Sequence, residues 1–64
     1  MNLQIDNYYI SVNSGYIKVC INGQNIIHEK LTGEQTESNV TKVAIALIED
    51  YNNRHGCKWG ELDY

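Results

Sequence analysis

The sequence predicts one small α+β domain of two layers, in which a three-stranded antiparallel β-meander packs on one C-terminal α-helix in the order β-β-β-α. Three observations predict it. Apolar and polar residues alternate through the first half of the chain, tight-turn dipeptides separate the alternating runs, and an apolar stripe of helical period follows a polar segment. With 64 residues the chain forms one domain at most, 1–64, and residues 57–64 form an aromatic C-terminal tail that could pack on the fold, add a strand or stay mobile.

The first predicted hairpin joins two alternating runs through Ser14-Gly15. With this two-residue turn, the apolar residues of both runs share one face of the sheet. The predicted pairs are Val12 with Ile17, Ile10 with Val19, and Tyr8 with Ile21. Leu3 and Ile5 also alternate, but they are out of phase with this face, so Asp6-Asn7 is predicted to form a bulge or a bend.

The second predicted hairpin turns at Asn22-Gly23, because this dipeptide readily supplies the two positive φ angles of a type I′ turn. The predicted pairs are Ile21 with Gln24, Val19 with Ile26, and Ile17 with His28. This register adds Ile26 to the apolar face and leaves Ile27 on the opposite face. It also places Cys20 away from the helix and His28 towards the edge of the covered face.

The helix is predicted from an apolar stripe that would lie on the sheet. The stripe consists of Val40, Val43, Ala44, Leu47 and Tyr51, with its centre near the last two. Thr36, or alternatively Thr32, is the predicted N-cap, because its hydroxyl can accept a bond from a first-turn amide. Asn52-Asn53 and Gly56 are predicted to end the helix. Ile48 falls at the margin of the stripe, and Ile45 falls outside it.

The charge balance argues against general nucleic-acid binding. Eight acidic and five basic side chains give a net charge of −3, the wrong sign for a surface that displaces counterions from phosphates. No apolar run approaches the ~20 residues of a membrane span, and no secretory signal is visible, so we expect no membrane association and a cytoplasmic location. Cys20 and Cys57 are then expected to remain reduced thiols.

The residues that could carry chemistry are sparse. His55 and Cys57 form the one close pair of soft metal ligands, without the paired spacing of a structural zinc site. Cys57 also follows a predicted helix end, whose partial negative charge disfavours a thiolate. Glu49 and Asp50 are adjacent on the helix and point about 100° apart. We therefore predict no enzymatic activity, no catalytic residues, no metal site and no cofactor.

Several aromatic and apolar residues fall outside the predicted core. Tyr9, Tyr16 and Ile27 are expected on the sheet face opposite the helix, near Lys18. If Trp59 folds over them they form one contiguous patch, which would mark an interface; otherwise they are scattered surface residues. The predicted partner-binding residues are Tyr9, Tyr16, Lys18, Ile27, Ile45 and Trp59.

Two functions follow from these expectations. The first is a small acidic, non-enzymatic protein-interaction module, with a homodimer as one possible form, and its size and charge suit a regulator or inhibitor of host machinery encoded by a virus or mobile element. The alternative is a nucleic-acid or nucleotide-binding domain that stacks bases on the sheet. That alternative would use Tyr9, Tyr16 or Trp59 for stacking and Lys18, Lys30 and Lys58 near phosphates.

Overall fold

A computed structural model of the chain describes residues 1–62, which form an antiparallel sheet with one helix on one of its faces. The elements are β1 (Asn2–Ile5), β2 (Tyr8–Asn13), β3 (Tyr16–Ile21), β4 (Gln24–Lys30) and α1 (Glu37–His55). The strands lie side by side in sequence order, β1-β2-β3-β4. The α+β class and the C-terminal helix are confirmed, whereas the prediction of three strands is wrong because the sheet has a fourth, at residues 2–5.

The additional strand β1 pairs with β2 through a two-residue turn at Asp6-Asn7. Asp6 has a φ of 51°, in the left-handed region that Asp occupies more readily than most residues. Leu3 pairs with Ile10 and Ile5 with Tyr8. The alternation of apolar residues changes phase between Ile5 and Tyr8, which suggested a bulge or a bend. The cause is a two-residue turn that reverses the chain.

The β2–β3 hairpin has the predicted register. Val12 pairs with Ile17, Ile10 with Val19, and Tyr8 with Ile21. Ser14 and Gly15 have φ angles of 54° and 79°, the positive values that a type I′ turn requires at both central positions. This hairpin supplies the central two strands of the sheet and most of its buried residues.

The β3–β4 hairpin follows the prediction only next to its turn. Ile21 pairs with Gln24 as predicted, but the register shifts between Val19 and Cys20. Beyond the shift, the observed pairs are Val19 with Ile27, Lys18 with His28, Ile17 with Glu29, and Tyr16 with Lys30. The predicted pairs of Val19 with Ile26 and Ile17 with His28 are wrong, because one extra residue is accommodated in β4 as a β-bulge.

Because of the bulge, the β4 side chains that follow Asn25 lie on the opposite faces of the sheet from those predicted. Ile27 faces the helix and is only 9% exposed, so its predicted place on the opposite face is wrong. His28, the register partner of Lys18, moves to the uncovered face. Ile26 is partly buried and still packs against the core. The sequence does not distinguish Ile26 from Ile27 here, because either isoleucine could fill the same apolar position facing the helix.

The helix begins and ends as predicted at its caps. The Thr36 hydroxyl accepts the Asn39 N–H at 3.2 Å, and Gly56 adopts the left-handed conformation with its N–H donated to the Asn52 carbonyl. Asn52 and Asn53 lie inside the helix, which runs to His55, so their predicted role in ending it is wrong.

The buried face of the helix is rotated from the predicted one. Its buried residues are Val40, Ala44, Ile48 and Asn52, spaced four residues apart. Leu47 and Tyr51 are only partly buried, and Ile48, predicted at the margin, is fully buried. The pattern of apolar residues indicated the wrong helix face because the last buried position is occupied by a polar residue, Asn52. Its amide contacts the Tyr8 hydroxyl at 3.5 Å.

The segment 57–62 belongs to the fold. The Tyr8 hydroxyl accepts the Gly60 N–H at 2.7 Å, and the Asn7 side chain donates to the Gly60 carbonyl at 3.0 Å. The Trp59 ring packs edge-on against Tyr8 at 5.0 Å, and its Nε1 donates to the Asp6 carboxylate at 2.7 Å. These contacts hold Trp59 and Gly60 of the tail against the β1–β2 turn. Positions 63 and 64 of the predicted tail lie outside the described residues.

Candidate functional site

The sheet face that the helix leaves uncovered, called here the open face, carries a row of polar side chains across all four strands. The row consists of Asn2, Ser11, Lys18 and His28, each the register partner of the next. Directly paired residues point to the same side of a sheet, so the four side chains stand next to one another. With strands about 4.8 Å apart, this polar row spans about 14 Å.

Two tyrosines lie on either side of the polar row. Tyr9 is 55% exposed and Tyr16 is 49% exposed. The Tyr16 ring meets His28 edge-on at 5.5 Å between ring centroids. Tyr9 pairs with Cys20, four residues from Tyr16 along β3, which separates the two tyrosines by about 13 Å along the strand direction. They flank the row and do not form a shared aromatic surface.

The open face is electropositive although the chain is acidic. Lys18, His28 and Lys30 lie on it by register. Among residues 1–62 the carboxylates lie elsewhere: Glu29 pairs with Ile17 on the covered side, and Asp6 is in the β1–β2 turn. The remaining described carboxylates, in the helix or in the segments that flank it, are Glu34, Glu37, Glu49, Asp50 and Glu61. The open face of the sheet therefore carries basic side chains, and most of the described carboxylates lie in the helix or in the segments that flank it.

A groove of about 440 Å³ runs along the whole polar row, on the side of the row where Tyr16 lies. Its lining residues are Met1, Asn2, Ser11, Val12, Asn13, Ser14, Tyr16, Lys18 and His28. Amide, hydroxyl, ammonium and imidazole groups supply hydrogen-bond donors there, and no carboxylate is among the lining residues. This donor set suits an anionic or strongly accepting ligand.

The structure brings together only part of the predicted site. Tyr9, Tyr16 and Lys18 lie on the open face as expected. Ile27 is in the core, and Trp59 is held at the β1–β2 turn against the buried Tyr8, so of the two alternatives the contiguous patch is the one that the structure does not contain. Ile45 is half-buried on the helix, in the other layer. The open-face residues that sequence reasoning missed are Asn2, Ser11 and His28.

A smaller cavity of about 210 Å³ lies beside the helix C-terminus. Its lining residues are Glu49, Asn52, Asn53, Cys57 and Trp59. The buried Asn52 Oδ1 has no hydrogen-bond partner among the described residues. The neighbouring Tyr8 hydroxyl accepts the Gly60 N–H and needs an acceptor for its own proton, which a reversed Asn52 amide would supply. Reversal would leave the amide nitrogen in the unpartnered position, so in either orientation one buried polar atom of Asn52 has no partner among residues 1–62.

The groups with catalytic or metal-binding chemistry are dispersed. Within residues 1–62, no group of three or more His, Cys, Asp and Glu side chains is placed to hold a metal ion. The Cys20 thiol contacts the Asn25 side-chain oxygen at 2.5 Å on the open face. At the other end of the molecule, the His55 ring stacks on Tyr51 at 4.3 Å, and the Cys57 thiol contacts the His55 carbonyl oxygen at 3.8 Å.

The one helix of the described chain is too polar to cross a bilayer: no helix within residues 1–62 combines the necessary length and hydrophobicity. No family model matches the sequence, and comparison with curated proteins and with solved structures gave no significant match. The geometry and charge of the open face are therefore the observations that bear on function.

Proposed function

We propose that this chain is a small non-enzymatic protein-interaction module that binds its partner through the open face. The observation that carries the proposal is the polar row, with Lys18 opposite His28, between two half-exposed tyrosines on a face that holds no carboxylate of residues 1–62. Tyrosine is favoured at interfaces because it buries a large area with few rotatable bonds and keeps a polar end. The lysine and histidine donors supply electrostatic complementarity to the partner and fix the position in which it docks on the face.

The dimensions of the open face suggest the strength of the interaction. Four strands of about six residues make a face of roughly 400 Å², about half of the ~800 Å² that each partner contributes to a standard stable interface. The proposed interaction is therefore of the small, reversible class. Electrostatic attraction accounts for a large share of such binding, so the affinity should fall as salt rises.

The proposed partner is a different chain. A homodimer built from two open faces would bring together the Lys18 and Lys30 ammonium groups of both copies, and like charges facing each other cost free energy. A homodimer would have to use another surface. The other parts of the proposal, a cytoplasmic regulator or inhibitor of host machinery encoded by a virus or mobile element, depend on chain length and net charge alone.

The proposal predicts that binding depends on the open face and not on the helix. Quantitative affinity capture from native lysate would compare the unchanged chain, a Tyr16→Ala/Lys18→Gln double variant and a Lys42→Gln control on the exposed side of the helix. We expect the double variant to capture at least about tenfold less of a specific partner, because truncating a tyrosine that is an interface hot spot costs about 2 kcal/mol or more of binding free energy. The Lys42→Gln control should capture as much of that partner as the unchanged chain does. Equal retention of every captured protein by both variants would refute the proposal.

Nucleic acid is the second candidate ligand, favoured by the presence of Lys18, Lys30 and two tyrosines on one face. Two features oppose it. The tyrosines are about 13 Å apart along the strands, too far to stack adjacent bases of one strand. Trp59, which was expected to stack, is engaged with Asp6 and Tyr8 at the β1–β2 turn.

A further inference from the structure

We infer that the polar row binds an extended acidic segment of the partner protein, with its carboxylates held by Lys18, His28 and Ser11. This inference depends on the proposed function and specifies the chemistry of the partner. Its starting observation is that, among residues 1–62, none of the four side chains of the row takes part in a hydrogen bond or ion pair within the fold. The contact that His28 makes is the ring contact with Tyr16.

The unused groups of the row match carboxylate chemistry. The Lys18 ammonium has three donors and no acceptor, and a neutral or charged His28 ring presents an N–H. The Ser11 hydroxyl and the Asn2 amide extend the donors across β2 and β1. Carboxylates accept several hydrogen bonds at once, and bonds to charged donors are the stronger ones.

The length of the row suits a short extended peptide. Alternate side chains of an extended chain point the same way at intervals of about 7 Å, so two of them fit within the about 14 Å of the row. A segment in which acidic residues alternate with small ones would place two carboxylates over the donors. Tyr9 and Tyr16 stand on either side and limit where such a segment can lie.

The charge outside the open face favours a short acidic segment over a long polyanion. Among residues 1–62, three basic and seven acidic side chains lie off the open face, a charge of −4. A nucleic-acid strand that continues past the open face would be repelled by this negative charge. A short peptide segment stays within the electropositive face.

The test is a titration of the ¹⁵N-labelled chain with a synthetic peptide of alternating Glu and Ala, about eight residues long. A matched peptide of alternating Gln and Ala and an oligothymidylate of similar charge are the comparison probes. We expect saturable shifts of the Ser11, Lys18 and His28 amides with the Glu peptide alone. Affinity should fall as salt rises from about 50 to about 200 mM. Lys18→Gln/His28→Gln should weaken it at least about fivefold, whereas Lys42→Gln should not change it.

Three results would overturn the inference. The Glu peptide causes no shifts on the open face; it binds the Lys18→Gln/His28→Gln variant as well as the unchanged chain; or the oligothymidylate shifts the row while the Glu peptide does not. If the peptide fails while the Tyr16→Ala/Lys18→Gln variant still loses a captured protein, the interaction module stands and its partner has different chemistry. If the capture experiment also shows no loss, both proposals fail.

Discussion

Tyr8→Ala is expected to lower the free energy of unfolding by about 4 kcal/mol, whereas Tyr9→Ala, one residue along the same strand, should cost less than about 1 kcal/mol. Tyr8 is fully buried, its ring packs on Trp59, and its hydroxyl accepts the Gly60 N–H. Tyr9 is more than half exposed on the open face. A domain of this size has a total stability of roughly 3–10 kcal/mol, so the Tyr8 variant can be largely unfolded. Urea denaturation followed by far-ultraviolet circular dichroism measures both.

Tyr8→Phe provides a measurable variant if Tyr8→Ala does not fold. It keeps the ring contact with Trp59 and removes the acceptor of the Gly60 N–H, so we expect a loss of about 1–2 kcal/mol. Similar losses for the alanine variants of Tyr8 and Tyr9 would contradict the assignment of alternate β2 residues to the two faces.

Ile48→Ala should lower the free energy of unfolding by about 3 kcal/mol, and Ile45→Ala by less than about 1 kcal/mol. Ile48 is fully buried against the sheet, whereas Ile45 is half-buried and outside the core cluster. Both changes replace the same side chain in the middle of α1, so the gain in helix propensity is about equal and cancels in the comparison. Paired urea denaturation curves give the difference directly.

The order of these two losses tests the rotation of the helix. The sequence pattern alone, with its stripe centred near Leu47 and Tyr51, placed Ile48 only at the margin. A larger loss for Ile45→Ala than for Ile48→Ala would mean that α1 presents a different face to the sheet, and the packing described for Tyr8 and Asn52 would then be wrong.

Turns explain why part of the fold could be predicted. Gly15, Asn22 and Gly23 adopt positive φ at low steric cost, so the register near each turn follows from local chemistry. Asp6-Asn7 carries no glycine, and the same chain reversal there was predicted as a bulge or a bend, so β1 was missed. The β4 bulge depends on how the sheet packs on α1, and alternation alone does not contain that information.

The candidate site was predictable to the extent that it depends on β2 and β3. Tyr9, Tyr16 and Lys18 follow from the correct register of that hairpin. His28 joins them only through the bulge, which also sends Ile27 into the core. Trp59 is positioned by bonds to residues more than fifty positions away, a long-range choice that no local pattern specifies. The basic face likewise arises only when separate strands pair.

The most direct test of the open face as the binding surface is hydroxyl-radical footprinting of the tyrosines, with and without a captured partner, read by mass spectrometry. In the isolated chain, Tyr9 and Tyr16 should react and the buried Tyr8 should not. On binding, Tyr9 and Tyr16 should become protected while the exposed side of α1 stays reactive. Unchanged reactivity of Tyr9 and Tyr16 in the complex, with protection on α1, would contradict the account.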